Sequence, residues 1–179
     1  MRKINYLLLA AFMFFCSNAF TQSTAVFMAA YDQNGVKIDG GSTTAGHLKD
    51  IEMFSYSFGV SEACASQTCS SSMSDFSIMM NLNPASITFK MMLLPGLHLT
   101  KVDVSYRKSA ATYDYYNIHM ENVVITSVQE SGSSETPTIS VSLNAQKIAW
   151  QYTPDNAGVP GKKTKGGWDN NLKAPWNYY

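Results

Sequence analysis

Between residues 102 and 168 the chain alternates apolar and polar side chains one for one in three long runs, and this constrains its fold more than any other feature. Val102, Val104 and Tyr106 alternate with Asp103, Ser105 and Arg107. Tyr116, Ile118 and Met120 alternate with Asn117, His119 and Glu121, and Ile139, Val141 and Leu143 with Ser140, Ser142 and Asn144. Successive side chains of a strand point to opposite faces. A period of two therefore means strands with one face on a core and the other toward water or a partner. Residues 109–115 and 129–138 read as the turns between them, so the stretch predicts a continuous antiparallel meander. In the last run the phase changes. Ile139, Val141, Leu143 and Ala145 are odd, whereas Ile148, Trp150 and Tyr152 are even. One extra residue at Gln146 and Lys147 would do this, which is the signature of a β-bulge.

Upstream, residues 26–31 read as a first strand, and Asp32-Gln33-Asn34-Gly35 is turn chemistry. Residues 39–47 form a Gly/Ser/Thr-rich loop without apolar period. A second strand region follows over 48–59, with Ile51 and Met53 on one face and Phe54, Tyr56 and Phe58 on the other. That pattern requires a phase shift near Phe54 or a strand covered on both sides. Phe76, Ile78 and Met80 alternate in another strand. One short helix is expected next: Asn83 suits the N-cap, Pro84 the first helical position, and Pro95-Gly96 ends it. Ile87, Met91 and Leu94 lie at i, i+4 and i+7, a single apolar stripe of the kind that faces a core. Met79, Met80, Met91 and Met92 read as adaptable core filling. From Thr153 onward the chain reads as a polar Gly/Pro/Lys tail with Trp168 and Trp176 as its large anchors.

The head of the chain carries an address. Arg2 and Lys3 precede an apolar run over residues 6–15, and Ser17-Asn18-Ala19 fits a small-x-small cleavage site. This is the layout of a secretory signal peptide over residues 1–19, cleaved after Ala19, with Thr21 and Ser23 as neighbouring alternatives. The run is shorter than the ~20 residues a permanent membrane helix needs. Cys16 follows Phe14 and Phe15 rather than the small residue that normally precedes a lipid-modified cysteine. The mature protein is expected to be secreted or periplasmic, and to have no membrane association after processing. It divides into one domain over 24–169 and a polar tail over 170–179, and its ~160 residues are enough for a core without staples. Removing Arg2 and Lys3 from the 13 basic side chains leaves 11 against 13 acidic ones, a net charge of −2, which argues against nucleic acid or an anionic membrane as partner. Two cysteines remain, Cys64 and Cys69, in a small polar loop spanning 62–74. In an oxidising compartment a disulfide between them is plausible; two free thiols are the alternative.

No reactive constellation emerges. The sequence lacks the zinc-protease, nucleophile-elbow, Walker and dinucleotide glycine patterns. Gly161-Lys162-Lys163-Thr164 lacks the preceding glycine of a phosphate loop, and the Asp32–Asp39 region lacks the closing Glu of a calcium loop. His47, His98 and His119 are dispersed and read as surface or capping residues. The chain is therefore expected not to be an enzyme and to need no cofactor or metal.

Four ordered segments carry a family likeness: residues 51–61 (IEMFSYSFGVS), 96–108 (GLHLTKVDVSYRK), 116–128 (YNIHMENVVITSV) and 140–154 (SVSLNAQKIAWQYTP), followed by Gly166-Gly167-Trp168-Asp169. In this order and spacing they resemble the haemolysin-coregulated protein (Hcp) family, the tube proteins of type VI secretion. The positions that carry the likeness are Phe54, Tyr56, Phe58, Gly59, Lys108, Asn144, Tyr152, Pro154, Trp168 and Asp169. The resemblance implies a mainly β fold, a small antiparallel β-barrel with one short α-helix. It further implies self-association into hexameric rings that stack as a tube, with secreted effectors or a tube-tip protein as further partners. The 39–47 loop would be an arm onto the adjacent protomer. Two features depart from the family: sheathed tube proteins are normally made without a signal peptide, and Cys64 and Cys69 stand where members often carry a Gly-rich loop. An exported barrel that binds a partner protein or a surface glycan, outside any sheathed tube, is the alternative.

Overall fold

The computed structural model describes residues 24–65, 68–108, 111–132, 135–156 and 158–179. The expected leader and its cleavage site at Ala19 lie outside the described residues. Six strands form a closed antiparallel barrel: β1 (Thr24–Tyr31), β2 (Ile51–Ser57), β5 (Phe76–Asn81), β6 (His98–Lys108), β7 (Asp114–Ser131) and β8 (Thr138–Tyr152). They run in the order β8-β5-β2-β1-β6-β7, and the β7–β8 pairing closes the circle. A hairpin of β3 (Val60–Ala65) and β4 (Thr68–Met73) projects between β2 and β5 in the chain, and a single helix α1 (Pro84–Leu93) links β5 to β6. The interior is filled by the residues the alternation marked: Phe76, Ile78, Met80, Val102, Val104, Ile118, Met120, Ile139, Val141, Leu143 and Ile148 are all buried.

The aromatic strand β2 resolves its two-faced pattern with a bulge. Met53 pairs with Met80 but Ser55 pairs with Met79, so Phe54 is the extra residue and is left exposed. Beyond the bulge Tyr56 and Phe58 turn inward. Tyr56 stacks on Phe76 at 4.7 Å and meets Tyr106 edge-on at 5.6 Å, while Phe58 lies 6.2 Å from Trp150. Burial, then the neighbouring Tyr56, push the Tyr116 phenol up to about 12, and burial pushes Tyr106 up as well. A phenol whose folded value is raised contributes stability that is fully present below its unfolded value near 10 and is lost as pH climbs toward the folded value. Thermal stability should therefore fall between about pH 10 and 12. Tyr116→Phe should flatten that fall, as read by melting curves across the interval; an unchanged slope would contradict this assignment.

The phase change in β8 occurs where the sequence places it, at Gln146 and Lys147, but it is not a one-strand bulge. Met120 pairs with Ile148 and Val123 with Ala145, so on both strands inward residues stand three apart across the same point. Asn122, opposite Gln146, adopts φ 49° and donates from Nδ2 to Gln146 Oε1 at 3.0 Å. Both strands switch faces together and the register survives. The true register shift of this pair lies at Thr126, between Ile125 and Ser127.

Residues 153–179, read as a polar tail, are instead folded onto the barrel. A small hairpin of β9 (Asp155–Asn156) and β10 (Val159–Pro160) leads to β11 (Thr164–Asp169), which pairs along the second half of β8, and β12 (Ala174–Pro175) returns on β11. The final residues cross the outer face of the sheet. Gly167 permits this: a Cβ there would lie 2.5 Å from the Trp176 carbonyl oxygen and 3.1 Å from Ala149 Cβ.

Candidate assembly surfaces

The helix docks by the face opposite to the expected one. Ala85, Ser86, Phe89 and Met92 are buried against the barrel, and Ser86 Oγ accepts the Asn83 N–H at 3.1 Å at the helix start. Lys90 reaches Glu130 of β7. The stripe formed by Ile87, Met91 and Leu94 faces outward at 57%, 62% and 81% exposure. Both stripes have helical spacing, so periodicity alone could not choose between them; Phe89 fills more space and takes the core. A helix apolar on two faces is normally covered on both.

The cysteine segment is a hairpin rather than an irregular loop. Its first strand, β3, is exposed throughout, and Gly59 and Ser74 tie its base, with Gly59 N–H donating to Ser74 Oγ at 2.8 Å. Cys64 faces Cys69 directly, at a Cα separation of 4.1 Å and with the sulfurs within bonding distance. Closure of so small a ring contributes about 2 kcal/mol at most in the chain-entropy view. A chain that starts after Ala19 should show no free thiol until it is reduced, and reduction should leave the barrel's melting transition in place. Two thiols titrating in the native protein would rule the pairing out.

The 39–47 loop is not a free arm. Ser42 and His47 are buried, and Ser42 Oγ donates to Glu52 Oε1 at 2.8 Å. His47 stacks on Phe27 at 3.9 Å, and its two ring nitrogens meet Asp50 at 2.8 Å and Asp114 at 3.1 Å. Arg107 bridges Asp114 and the Ala45 carbonyl at 2.8 and 2.9 Å. The loop is thus fastened to its own barrel. The reading of the histidines as surface residues fails for His47 and again for His119, which is buried on the outer face of β7, paired with Asp103 and stacked under Tyr178 at 3.6 Å. His98, by contrast, is exposed. Two signals in the sequence could have revealed the covered face: Gly166-Gly167 inside a strand pattern, and the closing Trp176-Asn177-Tyr178-Tyr179.

The family model described as "Type VI secretion system effector, Hcp" matches residues 27–152, well over half of the chain. The chain belongs to the Hcp family. Solved structures agree on the fold. One described as a type six secretion system protein aligns with a TM-score of 0.77 at 20% identity, covering 86% of this chain and 100% of its own. Hcp1 from Salmonella typhimurium aligns at 0.70 and 18% identity, covering 85% and 99%. A type VI secretion system effector from Yersinia pestis aligns at 0.65 and 24% identity, covering 80% and 98%. No curated protein matches the sequence. Among the described residues no helix is long and apolar enough to cross a membrane.

Within the Hcp fold the family-like positions fall into three groups. Tyr56, Phe58 and Trp168 pack on the core. Gly59, Pro154 and Asp169 shape turns: the Pro154 carbonyl accepts the Gly161 N–H at 2.7 Å, and Asp169 Oδ1 accepts the Asn171 and Leu172 N–H groups at 2.9 and 3.0 Å. Phe54, Lys108, Asn144 and Tyr152 lie toward the surface. Of these, Asn144 holds Asp75 at 2.8 Å, and Lys108 donates to Asp155 at 2.9 Å, a hydrogen bond that raises the Lys108 ammonium and lowers the Asp155 carboxyl.

Proposed function

We propose that this chain is an exported structural protomer of the Hcp type that assembles into hexameric rings, and that the rings stack as a component of a type VI secretion tube. The observation that carries the reading is the outward apolar stripe of α1. Ile87, Met91 and Leu94 together leave most of their side-chain surface in water on a helix whose other face is already seated. Covering each such side chain contributes about 1.5–3 kcal/mol. The occupant argued here is a second copy, because the barrel fold and the family are those of the Hcp proteins. A head-to-tail contact of this kind closes into a ring when the rotation closes. Processing after Ala19, a secreted or periplasmic location, and passage of effectors or contact with a tube-tip protein belong to the same proposal. So does a purely structural role without catalysis or cofactor.

The test is light scattering coupled to gel filtration on the mature chain. A species about six times the protomer mass is expected at roughly 100 μM, well above the micromolar dissociation constants of ordinary specific interfaces. A monomer at that concentration would overturn the ring and leave the barrel as a binding module.

A further inference from the structure

An open cleft of about 310 Å³ lies on the outer face of β6, β7 and β8. Its floor is a row of side chains across three strands. Ser105 pairs with Asn117, and Asn117 pairs with Gln151. Their sequence neighbours Val104, Ile118 and Trp150 point into the core, which puts all three on the outer face. Ser105 Oγ donates to Asn117 Oδ1 at 3.1 Å and so fixes the asparagine amide, whereas the Gln151 amide has no partner among the described residues. Asp103 closes one end, held by His119. The wall is aromatic. Tyr178 lies flat on the same His119 ring, with an interplanar angle of 5°, and Tyr179 meets Tyr178 edge-on at 4.9 Å. The close approach of the Trp176 carbonyl to Gly167 brings the chain's last residues onto this face.

We propose that this cleft binds a neutral saccharide, with Tyr178 and Tyr179 packing on a sugar ring and Gln151, Asn117 and Asp103 hydrogen-bonding to its hydroxyls. A sugar ring has an apolar C–H face and a rim of hydroxyls that each donate and accept. Aromatic rings suit the face. Amides, which offer donor and acceptor side by side, and a carboxylate suit the rim. The lining holds one carboxylate and no cation, and the neighbouring Lys101 ammonium, 3.6 Å from Asp103 Oδ2, is offset by that carboxylate, so the cleft favours a neutral ligand over a phosphate or an acidic chain. It also lacks the wide apolar wall that a lipid or an apolar peptide needs. Its volume sits at the low end of small-molecule sites, about 300–1,000 Å³. Both phenols are neutral donors at neutral pH, and burial and the nearby Asp103 push them further up. The proposal does not depend on ring assembly.

The probes are chitotriose, cellotriose and maltotriose, added separately to the full mature chain and followed by saturation-transfer NMR and calorimetry. At least one should bind by about 10 mM, with transfer from tyrosine ring protons. Gln151→Ala should weaken that binding about tenfold or more. Tyr178→Ala should abolish it; because this variant also uncovers His119, Gln151→Ala, which breaks no hydrogen bond among the described residues and leaves the aromatic wall in place, provides the independent arm. No binding by any of the three probes, or binding that both variants leave unchanged, overturns the site.

Discussion

Phe89→Ala is expected to lower the unfolding free energy by about 3–5 kcal/mol, the range for a fully buried aromatic cut back to a methyl. Phe89 is wholly buried and is the largest side chain that α1 sends into the barrel. Its neighbours on the docking face, Ala85, Ser86 and Met92, are too small or too thin to collapse into the space. The helix also has little intrinsic staying power, since a ten-residue helix in water is marginal without tertiary contacts. Urea unfolding of the variant should show the drop in midpoint. Ile87→Ala, on the other face of the same helix, should change the unfolding of the isolated protomer by less than about 0.5 kcal/mol. Equal effects from the two substitutions would show that the docking face has been misassigned.

The second large effect concerns assembly. The double variant Ile87→Glu with Met91→Glu should convert the proposed hexamer to protomers while leaving the far-UV spectrum and the melting of the barrel intact. Both residues are more than half exposed in the protomer, so glutamate is tolerated there. In a covered interface the same pair would bury two unpaired carboxylates, each costing several kcal/mol, and repeat that cost at every contact around the ring. Ile87→Val, which keeps the surface apolar, should leave assembly unchanged. A double variant that still runs at the hexamer mass would move the contact off the helix, and the exposed β3–β4 hairpin would become the next segment to test.

The contrast between these two faces of α1 shows where sequence reading succeeds and where it stops. Strand positions such as Val102, Val104, Ile118 and Leu143 were legible because a period of two leaves only two faces, and only one of them was apolar. In the helix the spacing marked one stripe, 87/91/94, as the core face; 85/89/92 has the same spacing, and hydrophobicity cannot rank the two. The phase break in β8 was visible, but its partner at Asn122 was not, because the even and odd runs of β7 are short and interrupted by charge. His47 and His119 escaped for a different reason. Each is buried by residues remote in sequence, Asp114 in one case and Tyr178 in the other, and no local pattern announces such a lid. The cysteine pair was legible as a pair, while the hairpin that aligns it was hidden by a Ser-rich composition that reads as loop.

The paired face switch at Asn122 and Gln146 has a consequence for how this barrel can change over generations. Deleting either residue alone would make its own strand alternate uniformly, inward residues two apart, and would leave the extra residue of the other strand as a one-strand bulge. Deleting both at once would restore a uniform alternation and keep every cross-strand partner. The two positions, 24 residues apart in the chain and joined by a side-chain hydrogen bond, can therefore be lost together or one at a time with the apolar face still turned inward.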